Sequence, residues 1–452
     1  MAITDARSPG LTYHDLLDAD THGVNPTLRL DSVQDLGDHD IPVERYISRE
    51  FHDLEVEKIW KRVWQMACRE EDIPNVGDTV RYDIADISIV VLRSAPGEIK
   101  AFYNACLHRG RLLREEDGYC GGDTLRCPFH GFAWHLDGSL AEVPAAWDFP
   151  HVDPEADKWQ LPEVMTSTWG GWVFVNMDPG AEPLADFIGD LAVHFDKWAQ
   201  QDKYKSAHVA RVFRCNWKVV QEAFSEAFHV SATHPQILVS IGDQNTKYDT
   251  WENFSRAISP GATPSPHLTW EPTEQDVFDA LTDRRVDQEP VMEVPPGSTA
   301  RAVAASLARD KLRSILGDEV ETYCDAEMTD SIYYTLFPNF HPWAAFNRIN
   351  YRFRPYGNDP DMSIMECVYL DPFEGERPPP AKITWLGPDD SWVEKAPELG
   401  NLARVFEQDT FNLPKVQAGL HTTQRSGVTL ANYQESKIRH IHSLIDRWIA
   451  KP

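Results

Sequence analysis

Two short cysteine–histidine pairs constrain this chain more than any other feature. Cys106-Leu-His108 is followed by Arg109-Gly110, and Cys127-Pro-Phe-His130 by Gly131, with eighteen residues between His108 and Cys127. Each pair follows a short stretch that reads as strand, so each lies on a loop. Two loops that each present one thiolate and one imidazole can meet around a metal centre. Around a pair of irons, the thiolates hold one and the imidazoles the other. Neutral imidazoles in place of two thiolates make such a cluster less negative and raise its potential. Glycine at the loop bends lets backbone N–H groups approach the sulfurs, which raises it further. The chain has 17 His, so a single Cys-x-His arises easily by chance. Two pairs, each followed by glycine at this separation, are a rarer coincidence. A structural zinc with two Cys and two His is the competing reading, although zinc fingers usually pair Cys with Cys and His with His along the chain. Cys68, Cys120, Cys215, Cys324 and Cys367 have no such partners and read as ordinary thiols.

A second constellation runs from Asn216-Trp-Lys to His234-Pro235. Glu222, Glu226 and His229 stand at i, i+4 and i+7, one face of a helix. His234 follows five residues after His229, and Pro235 ends the helix behind it. Two His near a helix end can take adjacent positions on one metal. A carboxylate from elsewhere would complete a 2-His-1-carboxylate site with open positions for O₂ and substrate on non-haem Fe(II). In a C-terminal helix read over 399–420, Asp409 is the only Asp between 401 and 420, with Leu413 and Gln417 on its face. Glu407 is the next candidate. Taken alone, a His-x₄-His and an Asp on a helix are ordinary surface features.

The rest of the pattern places these motifs. Phe51, Leu54, Ile59 and Val63 recur near helical spacing over 46–64, with Ser48 as a cap. From about 70 to 180 the chain reads as short strands: Val80–Ile84 alternates, Ile87–Leu92 is a buried run, and Pro96-Gly97 turns back into Ile99–Tyr103. Residues 209–235 read as a strand leading into a helix. The stretch 256–300, rich in Pro, Asp and Glu, predicts a long loop or lid with little regular structure. Strands follow at Ser331–Phe337 and Ile349–Phe353. A last helix over 434–450 carries Ile438, Ile441, Leu444, Ile445 and Trp448 as one apolar stripe.

Length and charge exclude several classes. A chain of 452 residues is long for one domain and suggests two or three. A formal net charge of −28 argues against nucleic acid or an anionic membrane surface as partner. Met1–Asp18 is polar, so no signal peptide is expected. The run Ile87–Leu92 is far too short to span a bilayer. Seven scattered Cys argue against a disulfide framework and for a reducing, cytoplasmic setting.

With these motifs in place, the chain resembles the α (oxygenase) subunits of the Rieske non-haem iron oxygenases, the ring-hydroxylating family. The likeness is strongest over 46–180 and 210–235 and recognisable over 400–450. It implies that Cys106, His108, Cys127 and His130 hold a [2Fe–2S] cluster and that His229, His234 and Asp409 hold a mononuclear Fe(II). Glu226 matches the family's bridging carboxylate, which links a cluster His of one subunit to an iron His of its neighbour in a head-to-tail homotrimer. The implied fold is α+β. A small antiparallel β Rieske domain (46–180) joins a larger helix-grip, START-like catalytic domain (181–452), on which residues 1–45 pack. Phe224, Phe337, Phe340 and Phe346 would line an apolar cavity. The implied reaction draws electrons from NAD(P)H through a reductase or ferredoxin and inserts oxygen from O₂ into an apolar, aromatic or polycyclic substrate.

Three positions depart from the family pattern. Ala223 stands where Asn is usual, Phe228 where Tyr is usual, and Glu226 where the arene dioxygenases have Asp. These favour the hydroxylating and dealkylating branch. The length is typical of α subunits that pair with a β subunit, so dihydroxylation and monooxygenation both stay open. Two rivals of other classes also stand: an electron-transfer protein whose only centre is the cluster, and a helix-grip carrier of apolar ligands with a structural zinc. Metal counting separates them, since the oxygenase carries three irons per chain.

Overall fold

The computed structural model describes residues 10–284, 288 and 290–452. The alternation at Asp78–Ile84 and the buried run Ile87–Ala95 form a hairpin, and Pro96-Gly97 turns the chain into Glu98–Tyr103, with Gly97 at a φ of +78°. These strands are central to a seven-stranded sheet in the order Gln65–Arg69, Trp172–Asn176, Glu163–Trp169, Glu98–Tyr103, Ile87–Ala95, Asp78–Ile84, Gly118–Tyr119. Every neighbouring pair in it is antiparallel. A three-stranded meander, Thr124–Arg126, Ala133–His135 and Leu140–Glu142, sits within the same stretch of chain. Ser48 caps the helix Arg49–Glu55 by accepting from the Phe51 N–H, as its sequence suggests.

The second half builds an eight-stranded sheet. Its order is Lys247–Thr250, Phe254–Ser259, Ser331–Leu336, Phe340–Pro342, Ile349–Pro355, Ser363–Asp371, Tyr204–Phe213, Thr384–Leu386, antiparallel except for the last pair. Helix Trp217–Ala223 packs on Ile349–Pro355 and Ser363–Asp371, helix Leu402–Leu420 packs on that helix, and helix Ser436–Ile449 packs on Lys247–Thr250 and Phe254–Ser259. The apolar stripe of this last helix, from Ile438 to Trp448, is buried. The architecture is therefore α+β, an antiparallel β unit joined to a larger α+β unit. The N-terminal segment touches the larger unit: Tyr13 donates to Asp330 (2.8 Å), Thr21 to Asp325 (2.8 Å) and Ser32 to the Thr250 carbonyl (2.6 Å). Residues 1–9 of that segment lie outside the described residues. Among the described residues no helix is long and apolar enough to cross a membrane.

The stretch 256–300, expected as a long loop or lid with little regular structure, holds one short helix among irregular chain, and its residues 285–287 and 289 lie outside the described residues. It begins inside strand Phe254–Ser259, contains helix Glu274–Leu281 and ends at the start of helix Ala300–Leu316. Thr273 and Asp276 close a reciprocal capping box on the middle helix. Val277 and Phe278 are buried against Ala262 and Ala300. Two buried apolar residues and a cap suffice for eight residues of helix within a Pro-rich, acidic stretch.

The two sheets are tied together through buried charge. Arg352 donates to the Met66 carbonyl (3.2 Å) and to that of Ala67, and Arg354 donates to the Asp83 carbonyl (2.8 Å). Both guanidiniums converge on Glu366, which also meets His208 Nε2 (2.9 Å). Burial alone would raise the Glu366 carboxyl, but Arg352, Arg354 and His208 outweigh it and hold it well below the usual carboxylate range. Glu366→Gln leaves two buried arginines short of their counter-charge, and a loss of about 3–5 kcal/mol is expected, read as an earlier urea unfolding midpoint at pH 7. A depressed carboxyl contributes above its unfolded pKa and is lost as pH falls through its folded pKa. The gap between parent and variant should therefore persist through pH 5 and close only in strong acid. A gap that closes between pH 7 and 5 would refute this assignment.

Candidate functional site

The two Cys/His loops fold alike. The Cys106 N–H donates to the Arg111 carbonyl (2.8 Å) and the Gly110 N–H returns to the Cys106 carbonyl (2.8 Å). The Cys127 N–H donates to the Phe132 carbonyl (2.8 Å) and the Gly131 N–H returns to the Cys127 carbonyl (3.0 Å). The shared frame explains why the glycines matter: each sits four residues after its Cys, at φ +76° and +84°. A Cβ on Gly131 would also press on Pro144 at 3.3 Å. The loops bring the His108 and His130 rings to 4.8 Å between centroids, and both Cys are buried. Burial raises the Cys106 thiol, the His108 N–H pulls it down and the adjacent Cys127 thiol raises it again. His108 stacks on Phe132 at 4.6 Å, and its Nδ1 is buried with no hydrogen-bond partner. Two adjoining buried thiols and an orphaned imidazole nitrogen are the donor set a metal cluster needs. His130 is exposed at the outer edge, its Nε2 2.6 Å from Arg109, which lies over the Phe129 ring.

The second constellation departs from the single helix read from the sequence. Helix Trp217–Ala223 stops, and a separate short helix, Val230–Thr233, begins after six residues. Side chains satisfy the backbone in between. Ser225 Oγ bonds back to the Gln221 carbonyl (2.8 Å), the Ala227 N–H donates to the Tyr248 hydroxyl (2.9 Å), and the His229 N–H donates to Glu226 Oε2 (3.0 Å). Glu226 thus shapes the turn before the second helix, while its Oε1 meets His229 Nδ1 at 2.7 Å. Glu222 points elsewhere, accepting from Tyr46 (2.9 Å) and contacting His442 Nε2 (2.9 Å).

The break aims both imidazoles at the Leu402–Leu420 helix. His234 Nε2 stands 2.7 Å from Asp409 Oδ1, and His229 Nε2 3.7 Å from the same oxygen. One ligand atom from each of His229, His234 and Asp409 lies within 4.8 Å of the others. Each imidazole is held through its other nitrogen, His229 by Glu226 and His234 by Gln408 Oε1 (2.8 Å), the outer partner a metal-binding His usually has. Burial pushes the His229 imidazole down, but the bond and charge of Glu226 and the charge of Asp409 leave it above its ordinary value. Glu407 is removed as a ligand candidate, because its carboxylate accepts from the Trp392 N–H (2.8 Å) and caps another helix. Gln408 was not visible from sequence, where an amide beside an acid carries no signal.

Three of the four phenylalanines expected to line a cavity pack elsewhere. Phe337 and Phe340 are core residues, and Phe340 packs edge-on against Trp172 (5.0 Å) and Phe174 (5.6 Å) of the other sheet. Phe346 packs on Tyr323 at 4.8 Å. Only Phe224 faces the metal-binding helices, meeting Tyr351 (5.3 Å), Phe353 (5.7 Å) and Phe406 (5.6 Å), the last one turn before Asp409. Alternation told these strands' buried positions but not which of two layers each faces. Beyond Tyr351 the wall continues through Trp343 (5.9 Å) to Tyr333, stacked on it at 5.1 Å.

With this geometry, the family comparisons are decisive. Residues 195–451 match the model of the ring hydroxylating alpha subunit (catalytic domain), and residues 63–153 match that of the Rieske [2Fe-2S] domain. The chain belongs to the Rieske non-haem iron oxygenase α-subunit family. Members of this family carry a Rieske cluster and a mononuclear iron, which the two donor sets fit, and the zinc reading falls away. Among relatives, the anthranilate 1,2-dioxygenase large subunit of Acinetobacter baylyi is 33% identical over 44% of this chain and 43% of its own length. The carnitine monooxygenase oxygenase subunit of Escherichia coli K12 is 29% identical over 44% of this chain and 54% of its own. The matched segments thus span about half the length of these curated relatives. Among solved structures, the quaternary ammonium Rieske monooxygenase CntA with L-carnitine superposes with a TM-score of 0.64 at 16% identity, covering 90% of this chain and 95% of that one. A naphthalene 1,2-dioxygenase variant bound to phenanthrene gives 0.65 at 18% identity, covering 93% and 94%. At such identities the shared feature of this Rieske oxygenase α subunit and the solved chains is the fold.

The carboxylate beside His229 has a testable role. Gln at position 226 has one acceptor oxygen, so it can serve the His229 N–H or the ring but not both, and its amide turns a donor toward the other. Glu226→Gln is expected to keep both metal centres and a dithionite-reducible cluster, yet to lower single-turnover product about 10–100-fold. Unchanged single-turnover yield and rate would reduce Glu226 to a turn former.

Proposed function

We propose that this chain is the terminal oxygenase of a multicomponent system that inserts oxygen from O₂ into a small organic substrate, with electrons drawn from NAD(P)H through a reductase or ferredoxin. The observation that carries the reading is the convergence of His229, His234 and Asp409 on one point beside an aromatic wall, in a chain that also holds the paired Cys/His loops. When bound, the cluster passes single electrons and the mononuclear iron activates O₂. The chain's own part is positional. Cys106, His108, Cys127 and His130 would hold the cluster. Glu226 and Gln408 fix the two imidazoles, and Asp409 supplies the anionic ligand. Tyr351 and Phe406, buried, and Phe224, half-buried, would keep water from this side of the site.

The cluster domain is proposed to span 46–180 and the catalytic domain 181–452, with 1–45 packed on the latter. A homotrimer, with or without a β subunit, is part of the proposal. The exposed His130 edge supports it, being placed for a neighbour's approach, with Glu226 as the bridging carboxylate. Relatives of the chain act on anthranilate, carnitine, glycine betaine, 2-aminobenzenesulfonate and chlorobenzene. The aromatic wall suits either a flat ring or an ammonium group, so both classes enter the test. The test is aerobic turnover of the iron-loaded chain with a surrogate reductase against arenes, aromatic acids and quaternary amines, with products identified by mass. Oxygen-18 from O₂ should enter a product. Absence of substrate-dependent O₂ uptake across the whole panel would favour the pure electron-transfer rival.

A further inference from the structure

Beyond the last strand of the meander, Leu140–Glu142, the chain presents the most exposed large apolar side chain among the described residues. Trp147, 83% exposed, sits in a single 3₁₀ turn, Ala146–Asp148, entered through Ala145 in the left-handed region at φ +54°. It stands between two residues, Ala146 and Phe149, that line an open groove of about 270 Å³. Leu140, Val143 and Val152 continue the apolar lining, and Glu142 is its one charged member. A large bare aromatic beside an apolar groove marks a surface that a partner covers. The groove also touches the cluster site. The Phe149 ring meets the His108 ring at 5.8 Å and the Phe132 ring at 5.5 Å, and Phe132 is stacked on His108. One aromatic ring therefore separates a partner seated in the groove from a cluster ligand.

Charge narrows the choice of partner. Residues 140–157 hold five acids, Glu142, Asp148, Asp153, Glu155 and Asp157, and no Lys or Arg. All five are exposed, and among the described residues only Glu142 is paired with a cation, Arg126 at 2.5 Å. The His130 edge of the cluster site has the other sign, with Arg109 beside His130 and over the Phe129 ring. That edge suits the partner subunit's Glu226, and the groove does not. A second copy, with the same net charge of −28, would bring like charge to an acidic rim.

Resting on the oxygenase reading above, we propose that this groove is the docking surface of the electron donor, a one-electron carrier protein with a basic face and an apolar side chain that seats beside Trp147. Each encounter passes one electron: the donor's centre is oxidised, the cluster is reduced, and no bond is made or broken. Trp147 supplies the apolar contact at the centre, and the acids around it steer and orient the donor. Electrons enter past Phe149 and His108 and leave by the His130 edge.

The probe is mitochondrial cytochrome c, a basic one-electron haem protein, used in the reverse direction against the full chain with its cluster reduced by dithionite. Reoxidation of the cluster and reduction of the haem are followed by stopped flow, and binding of the two oxidised proteins by calorimetry. The samples are the parent, Trp147→Ser, the double variant Asp153→Asn with Glu155→Gln, and Phe129→Ser. The parent's second-order rate should fall as salt rises. Trp147→Ser should lower both rate and affinity about tenfold or more, and the double variant about threefold or more at low salt. Ferricyanide, too small to need a docking surface, should oxidise the Trp147→Ser cluster at the parent's rate. A rate and affinity in Trp147→Ser equal to the parent's overturn the proposal, as does a parent rate that ignores salt. Loss of the cluster spectrum in Trp147→Ser assigns the residue to folding and removes the proposal. Slowing confined to Phe129→Ser moves electron entry to the His130 edge, with the same consequence. So does a parent oligomer that Trp147→Ser splits in sedimentation, since a second copy then covers the groove. The two readings fail separately. A chain that exchanges electrons through Trp147 yet takes up no O₂ with any substrate keeps the docking surface and loses the oxygenase. A chain that takes up O₂ with substrate, and whose Trp147→Ser variant matches the parent toward cytochrome c, does the reverse.

Discussion

Asp409→Ala is expected to carry about two irons per chain where the parent carries about three, with the cluster spectrum intact and product formation lowered more than about 100-fold. Asp409 is the one anionic member of its triad, and its Oδ1 is the atom both imidazoles approach, at 2.7 Å and 3.7 Å. Removing it leaves two neutral nitrogens, each still oriented by its own partner, around a position with no negative charge. That is too little to retain a divalent iron. The loss should exceed the 10–100-fold that follows when only an outer partner such as Gln408 is altered. Iron counting by plasma emission, read beside the visible spectrum of the same sample, checks it. Full iron content and activity in the variant would place the carboxylate ligand elsewhere, and not at Glu407, whose oxygens cap the Trp392–Lys395 helix.

Cys127→Ser is expected to abolish the visible absorption of the cluster and its reduced-state EPR signal, leaving about one iron per chain. Serine keeps the volume and the loop's backbone bonds, so the Cys127–Phe132 and Gly131–Cys127 hydrogen bonds should persist and the antiparallel sheet should stay folded. What is lost is a thiolate donor in a buried site, for which a hydroxyl is a far poorer ligand. NAD(P)H-driven turnover should then fall to background, because no electrons enter the chain. A spectrum like the parent's in the Ser variant would remove Cys127 from the cluster.

These two variants probe sites of unequal legibility. The cluster loops were readable because they are local: Cys, His and Gly lie within five residues, and the strand before each loop shows its own alternation. The iron site was readable only by half. His229 and His234 are neighbours in sequence, but the helix drawn through them is broken at Ser225–Glu226. Ser225 and Tyr248 bond the backbone there, and Tyr248 belongs to a strand no local pattern connects to it.

Asp409 lies 175 residues beyond His234. In sequence it is one of two acids in the run Glu407-Gln408-Asp409, with nothing in spacing or propensity to single it out from a solvated charge. Only the packing of helix Leu402–Leu420 on helix Trp217–Ala223 turns Asp409 inward, Gln408 toward His234 and Glu407 away. The same holds for the aromatics. A period of two says that Phe340 is buried, but not that it faces Trp172 of the other sheet. The sequence alone pointed to the fold class, the Cys/His pairs, the two nearby histidines and the chemistry they favour, because these rest on residue type and short spacing. The tertiary structure decided which carboxylate joins the histidines and which rings surround them, because each depends on contacts between segments more than a hundred residues apart.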